Sequence, residues 1–269
     1  MTRVTSSQKP SSIRWQAVAL PAEHGSWGLV IEPILLGMLV APTWGGFFLG
    51  LAGFLAFLAH QPVKIILLDR KRGRSYARTQ LASRFAFFYL GLAIVFLSFA
   101  VWSGGIRPLL PLALTVPLMI IFSIYDQRPG RHWQAELSAP VAFAAIAASI
   151  PLAAGWSWQT AVALWIVMAA RSAPAILYVR SRLRLVKGKA AQRKRAWLAH
   201  LIALLLVAVL VWWALLPTTA VVGMLILLLR ALVGLSHYRR NVSTKALGFM
   251  EMGFGFLTVF LVALGYWIN

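Results

Sequence analysis

Apolar runs long enough to cross a bilayer recur about nine times along this chain, and its cations fall in alternate connections between them. A spanning helix needs about 20 predominantly apolar residues. The runs cover approximately Leu20–Val40, Gly46–Leu68, Leu81–Trp102, Leu109–Tyr125, Leu137–Ala154, Thr160–Val179, Trp197–Leu216, Ala220–Ser236 and Ala246–Ile268. Such runs place the chain in the all-α membrane class, a single polytopic helical domain over residues 20–269 after a short tail over residues 1–19. The segment from Trp15 to Val40 is too long for the apolar core of a signal peptide and carries Glu23-His24, so it reads as an uncleaved first span.

Charge sets the expected orientation. Arg3, Lys9 and Arg14 precede the first span, and Arg70, Lys71, Arg72, Arg74 and Arg78 follow the second. Arg128 and Arg131 follow the fourth, a run from Arg180 to Arg195 follows the sixth, and Arg239, Arg240 and Lys245 follow the eighth. The opposite connections hold only Arg107. The positive-inside rule puts the N-terminus in the cytoplasm and the C-terminus outside. The net charge of +20 then signals orientation and attraction to anionic lipid rather than nucleic acid. With no Cys in the chain, disulfides, thiolate nucleophiles and Cys-ligated metals are excluded.

Only six residues are acidic: Glu23, Glu32, Asp69, Asp126, Glu136 and Glu251. Each lies in or at the end of an apolar run, where a carboxylate needs a cavity or a partner and is a functional-site candidate. Glu23 and His24, in Pro21-Ala22-Glu23-His24-Gly25-Ser26-Trp27, suit a proton-transfer pair or a ligand clamp at a helix N-terminus, or a helix cap with an interhelical bond. His60 and Lys64, in His60-Gln61-Pro62-Val63-Lys64, share a helix face, and Pro62 weakens the helical ladder beside them. Asp69 follows, as a metal ligand or a group that orients a base.

Further along, Tyr125-Asp126-Gln127-Arg128-Pro129-Gly130-Arg131 carries a turn signal in a charged loop. Arg171 lies about two helical turns inside the sixth span from Tyr178, too deep to snorkel, and so requires a buried partner such as Glu251 or Glu32. Arg180 and Arg184 share a face while Arg182 points elsewhere. Guanidinium groups of this kind bind phosphate bidentately, and Arg171, Arg180 and Arg184 are expected to clasp an anionic head. Arg230, His237, Arg239 and Glu251 form the last group; an Arg–Glu pair between helices explains it as well as a ligand contact does.

The catalytic candidates are thus Glu23, His24, Asp69 and Asp126. The ligand-binding candidates are His60, Gln61, Lys64, Arg128, Arg171, Tyr178, Arg180, Arg184, His237, Arg239 and Glu251. Of these, Glu23, His24, His60, Lys64, Asp69, Asp126, Arg171 and Arg180 are expected to line one cytoplasm-facing cavity.

Pro-x-Glu-His-Gly-x-Trp, His-Gln-Pro-x-Lys, Tyr-Asp-x-Arg and the run from Arg171 to Arg184 together resemble the YwiC-like family of bacterial membrane proteins. A weaker resemblance is to the UbiA prenyltransferase superfamily, in the nine spans and in the polar motifs after the second and sixth. That likeness implies a UbiA-like bundle around a cavity for a prenyl or lipid phosphate. UbiA enzymes carry Asp-rich Mg²⁺ motifs at those two places. Here Asp69 stands alone at the first, Asp126 is the other candidate Mg²⁺ ligand, and Arg180, Arg182 and Arg184 occupy the second. The expectation is an anion site without a tightly held metal, in a binder of an anionic-headed hydrophobic ligand or a non-typical intramembrane transferase. The alternatives are a small-anion or proton-coupled transporter and a membrane assembly factor.

Overall fold

A computed structural model describes residues 14–21, 24–128, 130, 132–237 and 242–268, with His24 and Gly25 described by backbone only. Glu23 and Arg239 lie outside the described residues, as does the His24 side chain.

The described residues are helical and contain no strand. A short helix α1 (Trp15–Ala19) precedes α2 (His24–Val40), α3 (Trp44–Lys71) and α4 (Ala77–Gly104). A turn of 3₁₀ helix (Arg107–Leu109) leads into α5 (Leu110–Leu114) and α6 (Val116–Asp126). There follow α7 (Trp133–Ala144), α8 (Ile146–Ala153), α9 (Trp158–Val186), α10 (Arg193–Trp212), α11 (Thr219–Leu235) and α12 (Thr244–Ile268). Among the described residues, seven helical stretches are long and apolar enough to cross a bilayer, with Arg107–Asp126 and Trp133–Ala153 each counted as one. Ser26–Val40 and Thr219–Leu235 are apolar but shorter.

Local sequence explains the boundaries. The Thr43 hydroxyl accepts a hydrogen bond from the Gly46 amide at 3.1 Å and starts α3. Ser157 caps α9 in the same way, through the Thr160 amide at 3.2 Å. Pro62 and Pro174 do not break their helices, since α3 and α9 continue past them. The expected weakness at Pro62 is therefore no interruption; the residue is buried within the continuous helix. The fourth run is interrupted instead. Thr115 turns its hydroxyl onto the Leu112 carbonyl at 2.7 Å, and Pro117 offers no amide to continue the ladder.

The stretch α7–α8 is the most enclosed of the long stretches, with 78% of its apolar window buried. It is rich in Ala and Ser, which lets neighbouring backbones come close. Ile146 and Ile150, one turn apart, fill the hollows left by glycines: a Cβ on Gly53 would stand 2.6 Å from Ile146 Cδ1, and one on Gly46 2.6 Å from Ile150 Cγ2. A larger apolar core joins Leu36 of α2 to Leu164 and Met168 of α9, Val207 of α10, Met224 of α11 and Val259 of α12.

The bundle has two unlike ends. Around one lie the ends of α3, α6 and α9, with Arg70, Lys71, Arg128, Arg180 and Arg184. Around the other lie exposed Trp44, Trp102, Trp212 and Trp267, and the Trp267 indole there donates to the Leu39 carbonyl at 2.9 Å. Aromatic residues at such a level fit a membrane interface.

Candidate functional site

The described charged groups sort into separate clusters. The deepest lies midway along five helices. Arg171 on α9 is 3% exposed and Glu32 on α2 is 1% exposed. Arg171 Nη2 donates to Glu32 Oε1 at 2.9 Å, and its Nε stands 2.9 Å from Oε2, close enough to pair but not aligned to bond. The same Nη2 donates to the backbone carbonyl of Glu251 at 2.6 Å. The Glu251 carboxylate on α12 accepts from Arg230 on α11. Arg230 also lies over the Tyr178 ring, 4.1 Å from its centroid.

His200 on α10 completes the cluster. Its Nδ1 is 2.7 Å from the Ala196 carbonyl and its Nε2 is 3.2 Å from Arg230 Nη2. A carbonyl only accepts and a guanidinium only donates. Both contacts are satisfied by one species alone, the neutral imidazole with its proton on Nδ1.

The network holds two carboxylates and two guanidinium groups, so its formal charge is zero. This balance is what makes it tolerable in hydrocarbon. The expected buried partner of Arg171 is thus Glu32, with Glu251 supplying a carbonyl and turning its carboxylate to Arg230. Each guanidinium is engaged from inside the protein, and the cluster has the form of a clamp on five helices.

The second cluster ties α3 to α6. Lys64 Nζ donates to Asp126 Oδ1 at 2.8 Å, and His60 Nε2 is 3.1 Å from Asp126 Oδ2. The His60 ring also packs on Phe122, 4.9 Å between centroids. Helical spacing puts His60 and Lys64 on one face of α3, as expected, and Asp126 meets both. All three are partly exposed. Gln61 sits on the other side of α3, its amide 3.4 Å from the Ala17 carbonyl.

Asp69 belongs elsewhere. It is fully buried and accepts from Arg78 Nη2 at 2.6 Å, from Arg78 Nε at 3.2 Å and from Thr79 at 2.7 Å. It pins the α3–α4 turn. A Mg²⁺ ion would find one carboxylate at Asp69 and one at Asp126, each already facing cations, so these residues do not fit the paired-carboxylate site a metal would use. Among the described residues, no group of three or more His, Asp or Glu is placed to hold a metal.

The three arginines expected to clasp an anion are apart. Arg171 is in the deep network. Arg180 donates to Glu136 of α7 at 2.5 Å, and Arg184 Nε donates to the Ala190 carbonyl at 2.7 Å. Arg182 points away from them and donates to the Gly234 carbonyl of α11 at 2.9 Å. His237 lies exposed just beyond α11. Of the eight residues expected to line one pocket, His60, Lys64 and Asp126 meet, whereas Asp69, Arg171 and Arg180 lie in separate pairs; Glu23 and the His24 side chain are outside the described residues.

What the fold offers instead is a groove of about 620 Å³ along α6, lined by Lys71, Ser123, Gln127 and Arg128 and by Val116, Met119, Ile120 and Ile124. The lining positions on α6 recur at helical spacing, so they form one face. That face is apolar over most of its length and becomes polar toward Lys71 and Arg128. Arg128 stacks on Tyr125, 4.5 Å from the ring centroid. No carboxylate pairs with Lys71 or Arg128 among the described residues.

Sequence reasoning singled out Arg128 but missed Lys71, which is one of five cations around a single turn and has no distinguishing neighbour. It also missed His200, whose signal was present: a titratable residue inside the apolar run Trp197–Leu216.

The fold and these clusters define a multi-pass helical membrane protein. Residues 20–151, just under half of the chain, match the family of YwiC-like proteins. The matched stretch contains the Glu23, His60 and Asp126 motifs; the Arg171 run lies beyond it. No curated protein and no solved structure matches the chain, and the UbiA likeness gains no support from these comparisons.

Proposed function

We propose that this protein binds a lipid phosphate in the groove along α6, with the phosphate held by Lys71 and Arg128 and an acyl or prenyl chain along Val116, Met119, Ile120 and Ile124. One observation carries the reading: a single groove joins two cations that have no carboxylate partner among the described residues to an apolar wall. A phosphate oxygen gains charge-assisted hydrogen bonds from Lys and Arg, and the bidentate fork of Arg adds orientation. The basic end of the bundle faces the cytoplasm of the inner membrane in this reading, with nine spans placing the C-terminus outside. The reading is binding rather than a transferase reaction, because the groove is lined by Lys71, Ser123, Gln127, Arg128 and apolar side chains, with no carboxylate or imidazole among them to act as acid or base.

Photo-crosslinking tests the site. A phosphatidic acid with a diazirine on its acyl chain, incubated with the protein in mild detergent, should label Met119, Ile120 or their neighbours on α6. Excess unlabelled phosphatidic acid should suppress the label, and phosphatidylcholine should not. Labelling spread evenly over α4, α10 and α12 would show ordinary lipid contact and sink the reading.

A further inference from the structure

The ion pairs between α3 and α6 stand beside the groove, and they suggest how it is occupied. α6 has no buried residue, and it begins at the break formed by Thr115 and Pro117. A few positions at an element's end suffice as a hinge. Its far end is tied to α3 through Asp126, which meets Lys64 at 2.8 Å and His60 at 3.1 Å. Lys64 and Lys71 are two turns apart on one face of α3, roughly 10 Å along the axis. Two lysine side chains at that spacing can reach a single phosphate.

We propose that Asp126 is a latch competing with the ligand for Lys64: a lipid phosphate displaces the carboxylate, Lys64 joins Lys71 and Arg128 on the phosphate, and α6 swings from α3 to admit the chain sideways from the bilayer. The ion pair suits this role because its groups are partly exposed. Partly solvated pairs contribute little to stability, so an incoming anion can replace the carboxylate at small cost. The deep Arg171–Glu32 pair has no such freedom. This inference rests on the groove being the lipid-phosphate site.

The test separates the two ideas. Affinity for dioleoyl phosphatidic acid is measured by native mass spectrometry on the full chain in detergent, with phosphatidylcholine as the neutral control. Asp126→Asn should bind roughly fivefold tighter and Lys64→Gln roughly fivefold weaker, the scale of one partly exposed ion pair. A merely structural role for Asp126 would weaken binding or leave it unchanged, and either result overturns the latch. If Lys71→Gln has no effect, the groove assignment fails instead.

A second measurement holds even if the groove binds nothing. The chain has no Cys, so spin labels placed at Leu67→Cys and Ile121→Cys report the α3–α6 separation without background. Asp126→Asn should add a longer-distance population without lipid, and the parent should gain it on adding phosphatidic acid. An unchanged distance in both refutes the latch.

Discussion

Arg171 on α9 grips Glu32 on α2 across 139 residues of chain, its Nη2 2.9 Å from Glu32 Oε1 and its Nε 2.9 Å from Oε2. Both side chains are buried, and the charges neutralise each other where hydration cannot. Removing one partner leaves the other buried and uncompensated, at a cost of about 3–5 kcal/mol. Glu32→Gln should therefore lower the unfolding temperature in detergent sharply. Glu32→Leu combined with Arg171→Met should be much milder, since a buried pair replaced by apolar residues is often neutral. Equal loss in both variants would contradict the pairing account.

The neighbouring glycine is fixed by the same pair. A Cβ on Gly255 would strike the Glu32 carboxylate and the Arg171 guanidinium, whereas one on Gly253, two residues away, would meet nothing within 4 Å. Gly255→Ala should destabilise the protein by pushing α12 away. Gly253→Ala should be neutral or stabilising by up to about 1 kcal/mol, the helix-propensity gain. Thermal unfolding followed by Trp fluorescence distinguishes them, and similar shifts in both would contradict the close approach at Gly255.

The Arg180–Glu136 pair is partly exposed, at 34% and 18%. Arg180→Gln should change stability by about 1 kcal/mol or less and leave phosphatidic acid binding intact, because the guanidinium is turned to α7 and not to the groove. A large loss of lipid binding in this variant would move the anion site to the end of α9.

Membrane orientation has its own test. Reporter fusions after residue 268 should be active only on the external side, with fusions in the turn after α9 active only in the cytoplasm. A cytoplasmic C-terminus would remove either α2 or α11 from the set of true spans, since these are the two shorter apolar helices.

The helical pattern was legible from the sequence because spanning a bilayer imposes length and hydrophobicity on every crossing segment. Each expected run corresponds to a helix or a broken helix, and the depth of Arg171 correctly demanded a buried carboxylate. The clusters were less legible. Six scarce acids invite the inference of one shared pocket, yet each described acid was drawn to the nearest cation its own helix pair presents. Asp69 found Arg78 across a single turn, and Glu136 found Arg180 on α9. Spacing along one helix revealed that His60 and Lys64 share a face, but only the packing of α6 shows that Asp126 is what they meet. Lys71 was hidden because charge counting treats every cation in a turn alike, and its place beside α6 is a tertiary fact.

The central claim is that Lys71 and Arg128 hold a lipid phosphate, and native mass spectrometry of the parent beside Lys71→Gln/Arg128→Gln tests it most directly. With phosphatidic acid and phosphatidylcholine offered together in mild detergent, the parent should retain phosphatidic acid preferentially. The double variant should lose that preference by roughly tenfold or more, since each charged hydrogen bond contributes about 1.5–3 kcal/mol, while unfolding at an unchanged temperature. An undiminished preference in a folded double variant, or no preference in the parent, would contradict the claim.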